Sequence, residues 1–154
     1  TNTTRLNRRQ ILKAAGGLGI MAFGASMSPM AFAAWNKAAF EAKSLSDVYS
    51  ALGAGSPSNS GDVQIVASDI AENGAVVPIQ AVSKLPNTEQ ISILVEKNPS
   101  ALAALFNLTA DTLPEVTTRI KMGQTSNVTV LVKAGGKYYT ATKEIKVTLG
   151  GCGG

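Results

Sequence analysis

The sequence predicts a mainly-β domain with a short helix before it, and three observations lead to this prediction. Beyond Val63, short runs rich in β-branched residues alternate with Gly, Pro, Asn and Ser turn residues. About seven such runs follow one another at regular spacing, without helical segments between them. The pair Gly135-Gly136 separates the last two runs and is a strong hairpin signal. Together these features are typical of an antiparallel β-sandwich of immunoglobulin type.

The segment before the strands is predicted to be helical. Apolar residues recur at helical spacing from Trp35 to Leu52. The Gly/Ser/Pro-rich stretch from Gly53 to Gly61 is predicted to end this helix and to link it to the sandwich. The hallmarks of antibody domains are absent, because the chain has no cysteine pair and Trp35 lies outside the strands. The prediction therefore concerns the architecture alone.

The strands are predicted, in chain order, at Val63–Ala67, Ala75–Ser83, Gln90–Glu96, Ala103–Leu108, Val116–Met122, Asn127–Ala134 and Lys137–Leu149. Pro78 in the second strand indicates an edge or a bulge, since proline has no N–H to donate to a neighbouring strand. The Ala and Leu content of Ala103–Leu108 is also compatible with a helical turn. In the last strand, Ile145, Val147 and Leu149 alternate and are predicted to point into the core.

Residues 1–33 are predicted to be a twin-arginine export signal. Arg8-Arg9 are followed by Ile11-Leu12-Lys13, by a Gly/Ala-rich apolar run, and by the small-x-small cleavage pattern Ala31-Phe32-Ala33. The apolar run is short and broken by glycines, which indicates a cleaved signal and not a membrane span. An ordinary secretory signal with two adjacent arginines is the alternative. We expect cleavage after Ala33 and a mature chain in the periplasm.

The predicted removal of this signal changes the charge of the chain. The full chain has 14 Lys+Arg against 10 Asp+Glu, which gives a formal net charge of +4. Arg5, Arg8, Arg9 and Lys13 lie in the signal, which contains no acidic residue, so the mature chain is predicted to be neutral. The basic balance is thus a property of the signal, and the mature form is predicted to bind neither nucleic acid nor a membrane.

The residue types argue against a self-contained catalytic site. The chain has no histidine and one cysteine, and its ten carboxylates are scattered without a recognisable motif. It has no Cys/His metal spacing, no Cys–His or Ser–His nucleophile pair and no phosphate-binding glycine loop. The prediction is therefore no catalytic residue, no metal and no cofactor, with carboxylate-only catalysis left open.

The last five residues carry the most specific signal in the sequence. They read Gly150-Gly151-Cys152-Gly153-Gly154, so that the sole cysteine has two glycines on each side. Glycine has no Cβ and little conformational preference, which suits a flexible arm that can enter a narrow channel. At full extension five residues reach roughly 17 Å. The prediction is a mobile arm with a thiol at its working end, carried by a rigid sandwich.

With this tail and the export signal, two internal segments complete a resemblance to a known family. The segments Asp69–Ala75 and Arg119–Ser126, taken with the glycine-flanked Cys152, make the chain resemble SoxY over its whole length. SoxY is the sulfur-carrier subunit of the periplasmic thiosulfate-oxidising Sox system. The resemblance implies a chain divided into the signal (1–33), an N-terminal helix and linker (34–60), the β-sandwich (61–149) and the carrier arm (150–154).

The resemblance also implies a function and a set of partners. Thiosulfate would be joined to the thiol of Cys152 by a c-type haem enzyme, and a manganese hydrolase would release sulfate and leave a sulfane sulfur on the cysteine. In some organisms a sulfane dehydrogenase would then oxidise that atom. A second small β-sandwich subunit, SoxZ, would form a heterodimer with the chain. In this scheme the chain is a carrier and not an enzyme.

Two other interpretations of the tail remain open from the residues alone. A thiocarboxylate carrier would use the carboxyl group of Gly154, although such carriers are cytoplasmic and the export signal argues against this. An exported β-sandwich interaction protein would instead dimerise through Cys152, but it would have no use for the flanking glycines. Lys143 and Lys146 precede the arm and would favour a thiolate if the arm folded back; their simpler interpretation is a solvated strand face.

Overall fold

The computed structural model describes residues 36–148, which begin with two short helices. Helix α1 covers Lys37–Glu41 and helix α2 covers Leu45–Leu52. The side chain of Asn36 caps α1 by accepting a hydrogen bond from the Ala39 N–H at 3.1 Å. Neither helix of the described chain is long and apolar enough to cross a membrane.

The prediction of one continuous helix from Trp35 to Leu52 is therefore wrong, because the described residues form two helices. Ala42 has an extended backbone, with φ −64° and ψ 135°, and ends α1. Ser44 then starts α2, and its hydroxyl accepts from the Asp47 N–H at 3.2 Å. Serine stabilises a helix as an N-cap more than it does inside one, because its side chain competes for nearby backbone groups. Helical spacing of apolar residues does not reveal such a break.

Strands make up most of the remaining chain. In the described residues they are β1 (Ser58–Asn59), β2 (Val63–Val66), β3 (Ile70–Ala71), β4 (Val77–Ser83), β5 (Thr88–Val95), β6 (Leu102–Asn107), β7 (Glu115–Ile120), β8 (Ser126–Ala134) and β9 (Lys137–Val147). The larger sheet has the order β1-β9-β8-β5-β6, with β3 also paired to β9, and the smaller sheet has the order β2-β4-β7. The pairs are antiparallel except that β1 and β3 run parallel to β9.

The two sheets pack face to face, which confirms the predicted β-sandwich. Alternate residues of β4, β5 and β8 point between the sheets and form the main core. Its largest fully buried members are Ile79, Ile91, Ile93, Val95, Met122, Val128, Val130, Val132 and Ile145. The other face of the larger sheet is also covered, because Leu94 and Leu131 pack against Ala39 and Val48 of the helices. The helices thus form a third layer.

The glycine pair before the last strand forms the predicted tight hairpin. Gly135 has φ 56° and Gly136 has φ 74°, and both values lie in the left-handed region. A two-residue hairpin loop with positive φ at both positions matches the twist of the strands it joins, and glycine adopts this conformation without steric cost. The turn fixes the register of β8 on β9 from the Ala134–Lys137 pair to the Ser126–Ile145 pair.

Some strand features differ from the sequence-based expectation, and one uncertain strand is confirmed. Strand β1 lies inside the stretch predicted as a linker, and β3 was not predicted, because two-residue strands have no periodicity. The strand predicted at Ala103–Leu108 is confirmed with the bounds Leu102–Asn107, and the alternative of a helical turn is excluded because the segment pairs with β5. Pro78 lies in the central strand of the smaller sheet, but in its first half, where β4 pairs with β7 alone among the described strands.

Candidate functional site

The predicted functional residues lie outside the described part of the chain. This holds for the tail residues Gly150, Gly151, Cys152, Gly153 and Gly154, for Leu149, and for the export residues Arg8 and Arg9. The structure describes the strand that leads into the tail, up to Thr148. The candidate site is therefore built from the elements that contact the end of β9. We call this region, which comprises β3, the loop that carries Thr125 and β9 from Lys143 to Thr148, the arm base.

One side of the arm base is formed by the short strand β3. In the parallel pairing, Ile70 lies beside Lys146 and Ala71 beside Val147. The Lys146 N–H donates to the Asp69 carbonyl oxygen at 2.9 Å, and the Thr148 N–H donates to the Ala71 carbonyl oxygen at 3.1 Å. Backbone hydrogen bonds therefore hold the strand as far as Thr148, four residues before Cys152.

The other side of the arm base is held by a side chain. The pairing of β8 with β9 ends at Ser126 and Ile145. Beyond that pair, the Val147 N–H donates to the hydroxyl oxygen of Thr125 at 2.9 Å. The Thr125 hydroxyl thus replaces the backbone acceptor that a longer β8 would supply. The N–H groups at the end of β9 are therefore hydrogen-bonded on both sides of the strand.

The loop that carries Thr125 is itself fixed. The Asn98 side chain donates to the Lys121 carbonyl oxygen at 2.7 Å and accepts from the Gly123 N–H at 3.2 Å. Directly after Thr125, at the first residue of β8, the Ser126 hydroxyl accepts from the Lys97 N–H at 3.0 Å. Because one asparagine satisfies both a donor and an acceptor of the loop, Thr125 is presented to β9 from a rigid support.

The structure brings together the two internal segments that carry the family resemblance. Segment 69–75 contains β3, and segment 119–126 contains Thr125. They also touch each other directly, because the Met122 N–H donates to the Gly74 carbonyl oxygen at 2.7 Å. Met122 is fully buried beneath this contact. Both segments therefore serve the same structural purpose, which is to hold the end of β9.

An ion pair locks β3 onto β9 from the side. Lys143 lies 2.9 Å from the Asp69 carboxylate and also donates to the Ala67 carbonyl oxygen. Its side chain is 30% exposed, so the interpretation of Lys143 as a solvated strand face is wrong. The pKa of Asp69 is lowered, and the hydrogen bond from Lys143 is the largest cause. The positive charges of Lys143 and Lys146 lower this pKa further.

The arm base offers no chemistry of its own. Within residues 36–148, no three Cys, His, Asp or Glu side chains are grouped so that they could hold a metal ion. Two charged side chains of the arm base, Lys143 and Asp69, form an ion pair, and Lys143 also donates to the Ala67 carbonyl oxygen. The fold and this site define a β-sandwich in which strand β9 is hydrogen-bonded on both sides near its end, as far as Thr148.

Comparison with known proteins identifies the family. The protein-family model described as sulfur oxidation protein SoxY matches residues 49–152 of this chain, a range that ends on Cys152. The chain belongs to the SoxY family. No curated protein matches the sequence. As a member of this family the chain is a sulfur carrier of the Sox system, which is periplasmic in general and which implies partners within that system.

Solved structures agree with this assignment. The structure of the sulfur carrier protein SoxY from Chlorobium limicola f thiosulfatophilum has 41% sequence identity and a TM-score of 0.59, over 67% of this chain and 96% of that one. A superoxide reductase (neelaredoxin) from Ignicoccus hospitalis has a TM-score of 0.51 at 15% identity, over 56% of this chain and 80% of that one. The second likeness shows the β-sandwich fold alone.

The residues that hold the arm base were only partly visible in the sequence. Asp69 and Thr125 lie in the two segments that carry the resemblance, but the sequence assigned no role to either. Asn98 lies between the strands predicted at Gln90–Glu96 and Ala103–Leu108, and Lys143 was interpreted as part of a solvated strand face. Hydrogen bonds between residues 22 to 76 positions apart, such as Thr125–Val147 and Ala67–Lys143, leave no local pattern.

The first testable prediction concerns the Thr125 hydroxyl. We expect Thr125→Val, which keeps the shape but removes the acceptor, to speed hydrogen exchange of the Val147 amide by about tenfold or more, because the end of β9 opens more often. The control Thr117→Val changes an exposed threonine of β7 and should leave that amide unchanged. Equal exchange rates in both variants, measured by NMR, would show that Thr125 does not hold the strand.

The second prediction concerns pH. A lowered pKa of Asp69 in the folded state means that its ion pair stabilises the protein above the unfolded pKa, and that this contribution is lost as the pH falls through the folded pKa. Asp69→Asn should therefore lower the thermal unfolding midpoint at neutral pH. The difference from the wild type should vanish below the folded pKa of Asp69. Asp111→Asn is the control variant. A difference in unfolding midpoint between Asp69→Asn and the wild type that persists unchanged in acid would contradict the assignment of the ion pair.

Proposed function

We propose that Cys152 is the covalent attachment point for thiosulfate-derived sulfur groups, and that residues 150–154 are the arm that presents them. The observation that carries this proposal is the hold on β9, which extends by backbone hydrogen bonds to Thr148. Cys152 is the fourth residue after Thr148, which allows a reach of about 14 Å from the end of β9. The family match that ends on Cys152 supports the same residue.

The proposed chemistry needs a thiolate and an electron acceptor. A new S–S bond forms between Cys152 Sγ and the outer sulfur of thiosulfate, the thiol proton goes to solvent, and two electrons pass to a c-type haem partner. A manganese hydrolase then cleaves the bond between the outer two sulfur atoms with water. Sulfate and a proton leave, and a persulfide remains on Cys152. In some systems a sulfane dehydrogenase would oxidise this remaining sulfur.

The chain itself is proposed to be a carrier and not an enzyme. A cysteine thiol of ordinary pKa is a few per cent thiolate near neutral pH, and a partner enzyme can capture this fraction without a base supplied by the carrier. The ion pair between Lys143 and Asp69 supports this division of roles. It engages one of the two lysines that precede the arm, so that the charge of Lys143 is directed to holding the segment at β3.

The proposal extends to partners and to export. We propose a heterodimer with a SoxZ-like β-sandwich subunit, assembled before export through the twin-arginine route. The export signal would be residues 1–33, with Arg8 and Arg9 as its recognition pair and cleavage after Ala33. That route moves folded proteins. A chain for which no cofactor is proposed has reason to use it if its partner must be bound first.

The third prediction tests the thiol. Cys152→Ser in the heterodimer should abolish thiosulfate-dependent turnover in a reconstituted system, because serine oxygen forms no bond to sulfane sulfur under these conditions. Folding and partner binding should be unchanged, since the residue follows the last strand. Intact mass of the periplasmic wild type should show thiosulfonate, persulfide or sulfonate additions on Cys152. Turnover by the serine variant would contradict the carrier proposal, and a disulfide-linked dimer would favour the interaction-protein alternative.

The fourth prediction tests the glycines. Gly151→Val with Gly153→Val should leave the rate of alkylation of Cys152 by iodoacetamide within about twofold of the wild type, because a small reagent needs only an exposed thiol. The same variant should slow conjugation and sulfate release by the partner enzymes by about tenfold or more, because β-branched side chains stiffen and widen the arm. Equal losses with both kinds of reagent would mean that the glycines control thiol reactivity and not access.

A further inference from the structure

Strand β7 is an open edge of the smaller sheet. It pairs with β4 on one side, and no other described strand pairs with it on the other. Directly before β7, the Pro114 carbonyl oxygen accepts from the Ser83 N–H of β4. Because backbone groups alternate along an antiparallel strand, every second residue after Pro114 bonds to β4, and the residues between them point to the open edge. The residues that point to the open edge are Glu115, Thr117 and Arg119.

The same three residues carry the exposed side chains of the strand. Glu115, Thr117 and Arg119 are exposed, whereas the residues between them are half-buried. The Gln80 side chain donates to the Glu115 carboxylate and holds it on the outer face of the sheet. Arg119 has no ion-pair partner among the described residues of its own chain. The edge therefore displays one negative and one positive group, placed symmetrically about Thr117.

The order of these charges decides what the edge attracts. In an antiparallel pair of two β7 strands with a two-fold axis at Thr117, Glu115 of each copy lies opposite Arg119 of the other. Thr117 then lies opposite its own copy, and both kinds of cross-strand pair are stabilising. The backbone groups that point to the open edge belong to the same three residues, so they can bond in this register. Charges of a single sign protect an edge by repelling a second copy, whereas those of β7 attract one.

We propose that β7 is the surface through which two copies of this chain associate, in an antiparallel strand pair centred on Thr117. The two three-stranded sheets then form one continuous sheet in the order β2-β4-β7-β7-β4-β2. The two-fold axis makes the interface isologous, so that a single self-complementary edge serves both copies. This inference goes beyond the proposed carrier function and does not depend on Cys152.

Half-buried apolar side chains beside this edge give the association a second contribution. Strand β2 lies against β9, which places β7 at the side of the sandwich where β6 is the edge of the larger sheet. Val116 of β7 and Ala104 and Phe106 of β6 pack against the main core and stay half-buried. A second copy seated on β7 shields this side from water, which adds hydrophobic stabilisation to the strand pairing.

The antiparallel pairing also keeps the two carrier arms apart. The last residue of β7, Ile120, leads towards Thr125 at the arm base, whereas Glu115 lies at the opposite end of the strand. In the pair, the two arm bases therefore lie at opposite ends of the shared sheet. The association requires no disulfide between the two copies and leaves both arms free to react.

The test exchanges the charges of β7 in a Cys152→Ser background, which excludes a disulfide-linked dimer. The chain purified from the periplasm should sediment as a dimer at about 100 μM. Arg119→Glu and Glu115→Arg should each raise the dissociation constant by about tenfold or more, because like charges then lie opposite each other in both strand pairs. The control Lys43→Glu makes the same change in net charge at an exposed residue between the helices and should leave the dimer intact.

Mixing the two variants separates pairing from misfolding. An equimolar mixture of the Arg119→Glu chain and the Glu115→Arg chain should form a heterodimer, because each strand with two glutamates then meets a strand with two arginines. The double variant, with Glu115→Arg and Arg119→Glu in one chain, should dimerise like the wild type. Two single variants that stay monomeric when mixed would overturn the proposed register.

Hydrogen exchange locates the contact on the strand. Exchange of the Thr117 amide should slow as the wild-type concentration rises and should not change with concentration in Arg119→Glu. A wild-type chain that stays monomeric, or a dimer that both single variants leave unchanged, would overturn the proposal. Protection of the Thr117 amide only after the second β-sandwich subunit is added would assign the edge to that subunit and exclude the second copy.

Discussion

The pairing of strand β9 with neighbours on both of its sides is the constraint on which the rest of the structure depends. Strand β8 pairs with it along one edge, from the Gly135-Gly136 hairpin to Ile145. The other edge is held by β1 near its start and by β3 near its end, both in parallel. The inner face of β9 places Ile145 in the main core, fully buried. The strand that leads into the tail is therefore paired on both sides near its start and near its end.

This support has a direct consequence for a tethered reactive group. A sulfur atom on a short tether is confined to a small volume around its anchor, and the effective concentration falls as the tether lengthens. If β9 frayed from Val147 back to Lys143, the free segment would double in length and the sulfur would be spread over a larger volume. The Thr125 hydroxyl and the Lys143–Asp69 ion pair prevent this by holding the last residues of the strand.

The arrangement also explains why two separated segments carry the family resemblance. Segments 69–75 and 119–126 have no catalytic group in common, yet both contact the end of β9 or each other. Their shared feature is position at the arm base. Segment 69–75 contains β3 and leads into β4, and segment 119–126 connects β7 to β8. Under the proposal that Cys152 carries the sulfur, the contribution of the fold is to place the anchor of the arm, and both segments lie where they support that anchor.

The sequence by itself determined the β-sandwich class, the tight hairpin at Gly135-Gly136 and the candidate thiol. Each of these depends on a local signal: alternation of apolar residues, two adjacent glycines at positive φ, and a single cysteine among glycines. The tertiary structure alone decided the break between α1 and α2, the two-residue strands β1 and β3, and the roles of Asp69, Asn98 and Thr125. Apart from the helix break, which the local Ser44 cap explains, these features arise from hydrogen bonds between distant parts of the chain, and such bonds have no periodicity that a sequence can display.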